Sequence, residues 1–117
     1  MGEPSYQVGQ HPQFAMTVVN IGKQSCTLDV GGGQRELLVQ AADGTREWSN
    51  TDCLFAPRKP DVQTLRAGQQ LHYGLTWAGR SSQQGCPVQR HRIPAGKYTL
   101  TARLGALTSA KTPFTLT

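Results

Sequence analysis

Acidic residues are missing from this chain from residue 62 to its end. The seven it has, Glu3, Asp29, Glu36, Asp43, Glu47, Asp52 and Asp61, all precede residue 62. Residues 62–117 carry Arg66, Arg80, Arg90, Arg92, Lys97, Arg103 and Lys111 and so count +7, whereas residues 1–61 count −2. A fold that interleaves strands from both halves mixes these charges, which leaves scattered solvated cations as the plain reading and an anion-facing patch as the sharper one. Other absences exclude whole classes. No apolar run approaches the ~18 to 20 residues of a membrane span, and no charged, apolar, small-residue leader opens the chain. No Gly-x-Ser-x-Gly elbow and no acid/His/Ser grouping supplies a nucleophile, so the chain does not read as an enzyme. Gly31-Gly32-Gly33 opens no helix and has no Lys-Ser/Thr pair after it, which removes the phosphate-loop reading. No two cysteines stand two to four residues apart, His91 lies five beyond Cys86, and His11 and His72 are isolated. A structural zinc site needs closer ligand pairs, so neither a metal nor a cofactor is expected. Nucleic acid is not an expected partner either.

What is present is a period of two. Phe14, Met16 and Val18 alternate with small or polar neighbours, as do Cys26, Leu28 and Val30. Residues 35–42 and 45–49 flank Asp43-Gly44, a pair suited to a two-residue type I′ hairpin turn. Residues 50–60 hold Pro57 and Pro60 around Arg58 and Lys59 and read as a surface loop. A short strand over 62–65 follows, then a turn at Ala67-Gly68 and four large residues on one face, Leu71, Tyr73, Leu75 and Trp77, which read as the main core strand. After a long connection over 78–94 come Tyr98, Leu100, Ala102 and Leu104, a break at Gly105, and Phe114 with Leu116. Pro113 places that last strand at an edge or a bulge. Eight or nine short strands with turn signals every ten or so residues predict an all-β chain folded as an antiparallel Greek-key sandwich.

The most informative stretch is Ile93-Pro-Ala-Gly-Lys-Tyr98-Thr-Leu-Thr-Ala102. A Pro/Gly turn running into Tyr98 is the pattern of a tyrosine corner, in which the ring enters the core and its hydroxyl bonds backbone a few residues upstream. Trp48 and Trp77 lie on alternating strands and are expected in the core with Tyr98. The whole of 1–117 reads as a single sandwich domain, and Met1-Gly2 with the polar start after it suggests one excised from a longer protein.

Taken in order, Val19-Asn20, Leu65-x-Ala-Gly68, Leu75-Thr-Trp77 and the Ile93 to Ala102 stretch resemble the immunoglobulin-like domain of the bacterial intracellular proteinase inhibitor family. The Asp-Gly hairpin followed by Trp48 also falls where that family ends a strand. The chain is similar to secreted or membrane-tethered versions in high-GC Gram-positive bacteria, in which Trp48-Ser-Asn-Thr-Asp-Cys53 and Gly85-Cys86 match a cysteine-bearing variant. The resemblance implies an immunoglobulin-like sandwich and an inhibitory activity, and it assigns no inhibitory residue.

Cys53 and Cys86 open the two long loops, and Greek-key packing brings such loop ends together, so a Cys53–Cys86 disulfide is expected. Closing a loop of roughly 33 residues contributes about 3 to 4 kcal/mol in the chain-entropy model and implies an oxidising, extracytoplasmic location. Cys26 then reads as a small buried apolar residue, with Cys26–Cys86 and Cys26–Cys53 as the rival pairings. Such a bridge sets Leu54, Phe55, Arg58 and Lys59 beside Arg80, Arg90, His91 and Arg92, a basic loop end with an apolar centre. Three readings follow. The first is a noncatalytic, monomeric module of the cell envelope that binds a protein or an anionic wall or lipid component through this end. The second is a proteinase inhibitor presenting the loop around Gln89 to Arg92. The third is a carbohydrate-binding module, which requires an exposed tryptophan.

Overall fold

The computed structural model describes residues 5–52, 59–83 and 91–117. These form ten strands and no helix: β1 (Ser5–Tyr6), β2 (Gln13–Val19), β3 (Cys26–Asp29), β4 (Arg35–Ala41), β5 (Arg46–Ser49), β6 (Val62–Leu65), β7 (Gln70–Thr76), β8 (Gly96–Leu104), β9 (Leu107–Thr108) and β10 (Thr112–Leu116). One sheet runs in the order β1-β10-β8-β4-β5, with β9 paired to β8. β2 pairs with β7, and β3 with β6. The two pairs are successive stretches of one ribbon, because the chain leaves β2 for β3 and returns from β6 to β7. All pairings are antiparallel except β1 on β10, which is parallel.

The β2–β7 layer lies across the larger sheet as a sandwich, and aromatic rings fill the space between them. Phe14 of β2 reaches Trp77 with ring centroids 5.7 Å apart, Trp48 of β5 at 6.4 Å and Phe114 of β10 at 5.7 Å. Trp48 and Trp77 are 5.6 Å apart, and Tyr98 stacks on Phe114 at 5.8 Å. Edge and offset ring contacts of this kind add to the burial of large apolar area. Met16, Leu37, Val39, Leu100 and Leu104 close around them. Both indoles are buried, Trp77 at 1% exposure and Trp48 at 6%, so neither is available to stack on a sugar. That corrects the carbohydrate-binding reading. The Tyr98 hydroxyl donates to the Pro94 carbonyl at 2.6 Å, which ties the arch 94–97 to β8 in the manner of a tyrosine corner.

Asn20 pins the ribbon where it bends between β2 and β3. Its side-chain amide donates to the carbonyls of Gln24 (2.8 Å) and Leu65 (2.9 Å), and its Oδ1 accepts from the Gly22 amide at 3.0 Å. Every polar atom of this buried side chain is thereby bonded, as burial demands. Beyond it β3 pairs with β6, and of its residues Leu28 packs against the core while Cys26, at the start of the strand, does not. Cys26 is therefore an exposed free thiol rather than a buried one, although the strand alternates as a half-buried strand would.

Three further expectations change. The Asp43-Gly44 turn is a three-residue loop and not a type I′ pair: the Gly44 amide bonds the Ala41 carbonyl, which makes Ala42 and Asp43 the central residues, and Gly44 follows with φ of 90°. The two strands it joins shift register further on, between Val39 and Gln40, where Glu47 is the extra residue of a bulge. The central strands are β4 and β8, while Leu71, Tyr73 and Leu75 of β7 are only half-buried. Pro113 lies on β10 between two strands of the sheet, yet β1 reaches only Thr115 and Leu116, so Pro113 stands beyond its reach.

Candidate functional site

The residues that flank the two long connections meet at one end of the sandwich. Where β5 ends, the chain turns through Asn50 and Thr51 to Asp52, a carboxylate only 2% exposed. Asp52 forms an ion pair with Arg46 through Oδ1, and its Oδ2 accepts from the Ser82 hydroxyl at 2.6 Å. Ser82, itself buried, is held from the other side: its amide donates to the Glu47 carbonyl at 3.0 Å, and its Oγ accepts from the Ser49 amide at 3.2 Å. A buried carboxylate costs several kcal/mol unless its lone pairs are satisfied, and here both oxygens are engaged. The result is a polar clasp joining the first connection to the second.

The second connection is clasped again at its stem. Arg80 and Arg92 form an isolated antiparallel bridge. The Ser81 amide donates to the His91 carbonyl at 2.7 Å, the Ile93 amide to the Gly79 carbonyl at 2.9 Å, and the Ser81 hydroxyl lies 3.0 Å from His91 Nδ1. Trp77 Nε1 donates to the Arg80 carbonyl at 3.1 Å, which anchors this stem to the core. Arg80, His91 and Arg92 are all exposed on it. The Arg92 guanidinium passes over the turn at Gly9, where an added Cβ would come within 3.4 Å of it.

Of the proposed surface, Lys59 is exposed, and its carbonyl packs on Gly31, at which an added Cβ would stand 2.6 Å away. The adjoining chain is fixed by Asp29, whose Oδ1 accepts from the amides of Asp61 (2.9 Å) and Gly31 (2.8 Å). These two bonds, the one from Asp61 foremost, hold the Asp29 carboxyl below its usual value. Cys53, Leu54, Phe55, Arg58, Cys86 and Arg90 lie outside the described residues, and the expected Cys53–Cys86 bridge with them. The clasp of Arg46, Ser49, Asp52 and Ser82 was not foreseen. Ser82 stands 30 residues from Asp52, and no local pattern announces such a pair.

Among the described residues no three His, Cys, Asp or Glu side chains gather as metal ligands, and no helix is long and apolar enough to cross a membrane. Among the described residues, the clasped end carries Arg80, His91 and Arg92 exposed beside the buried clasp.

Comparison with known proteins gives the context. Among solved structures, a β-glucosidase from Erythrobacter marinus is similar with a TM-score of 0.52 at 12% identity, over 99% of this chain and 14% of that one. The likeness concerns the fold alone, since this chain spans about one seventh of that protein's length. Comparison with the curated proteins found no match. The family described as intracellular proteinase inhibitor, BsuPI, matches over residues 1–108. Because that description is of an intracellular inhibitor, the extracytoplasmic location expected from the cysteines is overturned: a pairing inferred from loop positions was made to carry a compartment. The chain belongs to the intracellular proteinase inhibitor family.

Proposed function

We propose that this chain binds and inhibits a peptidase, using the clasped end of an immunoglobulin-like sandwich as its contact surface. The observation that carries this reading is the family match over residues 1–108, which favours inhibition over the envelope-module reading. The geometry supports it in a specific way. An inhibitor survives in a peptidase cleft when its contact segment is held in one conformation before binding, because less ordering entropy is then lost. The stem at residues 79–81 and 91–93 has that character, braced by backbone ladder bonds, by Trp77 and by the Asp52–Ser82 clasp. Arg80 and Arg92, exposed there, suit a peptidase with an acidic specificity pocket.

The test is a panel of serine peptidases of trypsin-like, chymotrypsin-like and subtilisin-like specificity, each assayed with a small substrate in the presence of micromolar domain. Slowed turnover of at least one, saturating at a fixed ratio of domain to peptidase, is the expected result. Unchanged turnover throughout, or steady cleavage of the domain as a substrate, overturns the proposal.

A further inference from the structure

Away from the clasped stem, one cation is held in place with no acid to meet it. Arg35 opens β4, and its guanidinium lies 3.9 Å over the Tyr73 ring of β7, so the two sheets meet here through a charge and an aromatic face. A ring face attracts the charge but accepts none of the in-plane N–H groups. The two ion pairs among the described residues, Arg46 with Asp52 and Arg103 with Glu36, leave Arg35 without a carboxylate. Its Nε is buried and has no hydrogen-bond partner. Buried donors are nearly always bonded, and a guanidinium does not shed its proton to escape the cost. Glu36 is next in sequence, yet it is engaged elsewhere: its Oε2 accepts from the hydroxyls of Ser49 at 2.6 Å and Thr51 at 3.2 Å, and its Oε1 lies 3.6 Å from Arg103.

Arg35 and Tyr73 line a hollow of about 180 Å³, to which Met16, Leu37 and Leu75 give apolar walls. Gly74 lines it too, and has only backbone to offer. The direction of that backbone follows from the ladder. The Trp77 amide bonds the Pro12 carbonyl and the Asn20 amide bonds the Gln69 carbonyl, so with the register between them Leu71, Tyr73 and Leu75 exchange hydrogen bonds with β2. The N–H and C=O of Gly74 therefore point the other way, off the outer edge of β7, where no described strand pairs. A cation, a main-chain donor and an apolar lining thus meet at one hollow.

We infer that this hollow binds a single carboxylate carried on a short apolar body, as at the C-terminus of a peptide that ends in an aliphatic residue or in a free branched-chain acid. The carboxylate pairs with the Arg35 guanidinium, whose planar fork matches it and which the Tyr73 ring holds ready. The aliphatic body lies against Met16, Leu37 and Leu75. Where the acid is a peptide end, its last carbonyl before the terminal residue accepts from the Gly74 amide, as main-chain groups do at a strand edge. Glu36 limits the charge of the ligand, because it also lines the hollow and a dianion such as phosphate meets a like charge there. The site goes beyond peptidase inhibition and does not rest on it, since none of Arg80, Ser82 and Arg92 lines the hollow.

The probes are isocaproate, acetyl-alanyl-leucine with its carboxylate free, the same dipeptide as its C-terminal amide, and inorganic phosphate. Each is titrated at neutral pH into the labelled domain, and the backbone amides and the Arg35 Nε–H resonance are followed. The free dipeptide should bind with a dissociation constant below about 1 mM, moving the Arg35 Nε–H and the amides of Tyr73, Gly74 and Leu75. The dipeptide amide and phosphate should each bind at least tenfold more weakly. Isocaproate should move the same Arg35 resonance: a dipeptide at least tenfold tighter than isocaproate identifies a chain end as the ligand, and comparable affinities identify a free acid. Arg35→Gln should weaken the dipeptide at least tenfold at an unchanged melting temperature, and Arg35→Lys, which keeps the charge and loses the fork, should restore only part of it. Absence of shifts at these groups, equal binding of the amide, tighter binding of phosphate, or undiminished affinity in Arg35→Gln overturns the inference. The comparison of carboxylate with amide alters only the ligand, so the test stands even if a variant unfolds. No peptidase enters the titration, which keeps its outcome separate from that of the inhibition assays.

Discussion

Tyr98 and Asp52 are two side chains whose polar atoms decide more than their size does. Burial first, and the charge of Glu47 second, push the Tyr98 phenol above its ordinary value of 10.0. The protonated phenol is then the form that the folded state prefers. Its contribution is complete below pH 10.0 and is lost as the pH rises through the higher folded value. The thermal midpoint should fall above that pH, and Tyr98→Phe should remove this dependence while costing about 1 kcal/mol at neutral pH for the lost bond to Pro94. Asp52 tests the clasp. Asp52→Ala leaves the Ser82 hydroxyl buried without its acceptor and Arg46 without its counter-ion, for a loss of about 2 to 3 kcal/mol. Asp52→Asn keeps an acceptor and should lose about half as much, both read from denaturant midpoints. The sequence disclosed the first of these residues and not the second. A tyrosine corner is local, a turn and a ring within five positions, whereas the clasp joins residues that only the finished fold makes neighbours.

Strands and turns carry the next level of explanation. Gly44 and Gly31 separate two reasons for a glycine. At Gly44 an added Cβ meets nothing within 4 Å, so Gly44→Ala is opposed only by the φ of 90° and should cost about 1 kcal/mol. Gly44→Asn should cost less, since asparagine tolerates that region. At Gly31 the same methyl would stand 2.6 Å from the Lys59 carbonyl, so Gly31→Ala should cost more and loosen the chain at 59–61. Amide exchange at Asp61 and chemical denaturation with an unchanged m-value for Gly44→Ala check the pair. Alternation located nearly every strand because a period of two needs only one covered face. It could not rank them: β7 carries Leu71, Tyr73 and Leu75 on one face, but β4 and β8 are central because strands pair with them on both sides, and pairing leaves no mark in the strand's own pattern. Cys26 failed for the same reason. Its strand alternates and Leu28 does pack against the core, yet Cys26 at the strand's start, past Asn20, is exposed.

At the scale of the molecule, the all-β fold was legible from composition and period, and the family from turn motifs spread along the chain. Location was not, since it hung on one inferred pairing of cysteines. The acid-free part of the chain is not left unopposed, because β8 lies directly beside β4 and Arg103 meets Glu36 at 3.6 Å across that seam. Cations remain concentrated where strands end, at Arg80 and Arg92 on the clasped stem. The most direct measurement is the inhibition constant for a peptidase that the domain slows, taken for the unaltered chain and for Arg80→Glu/Arg92→Glu with their melting temperatures. Peptidase inhibition through this end predicts at least about a tenfold weaker constant, or 1.4 kcal/mol, at an unchanged melting temperature. A domain that slows no peptidase, or a double variant that inhibits as well as the original, contradicts it.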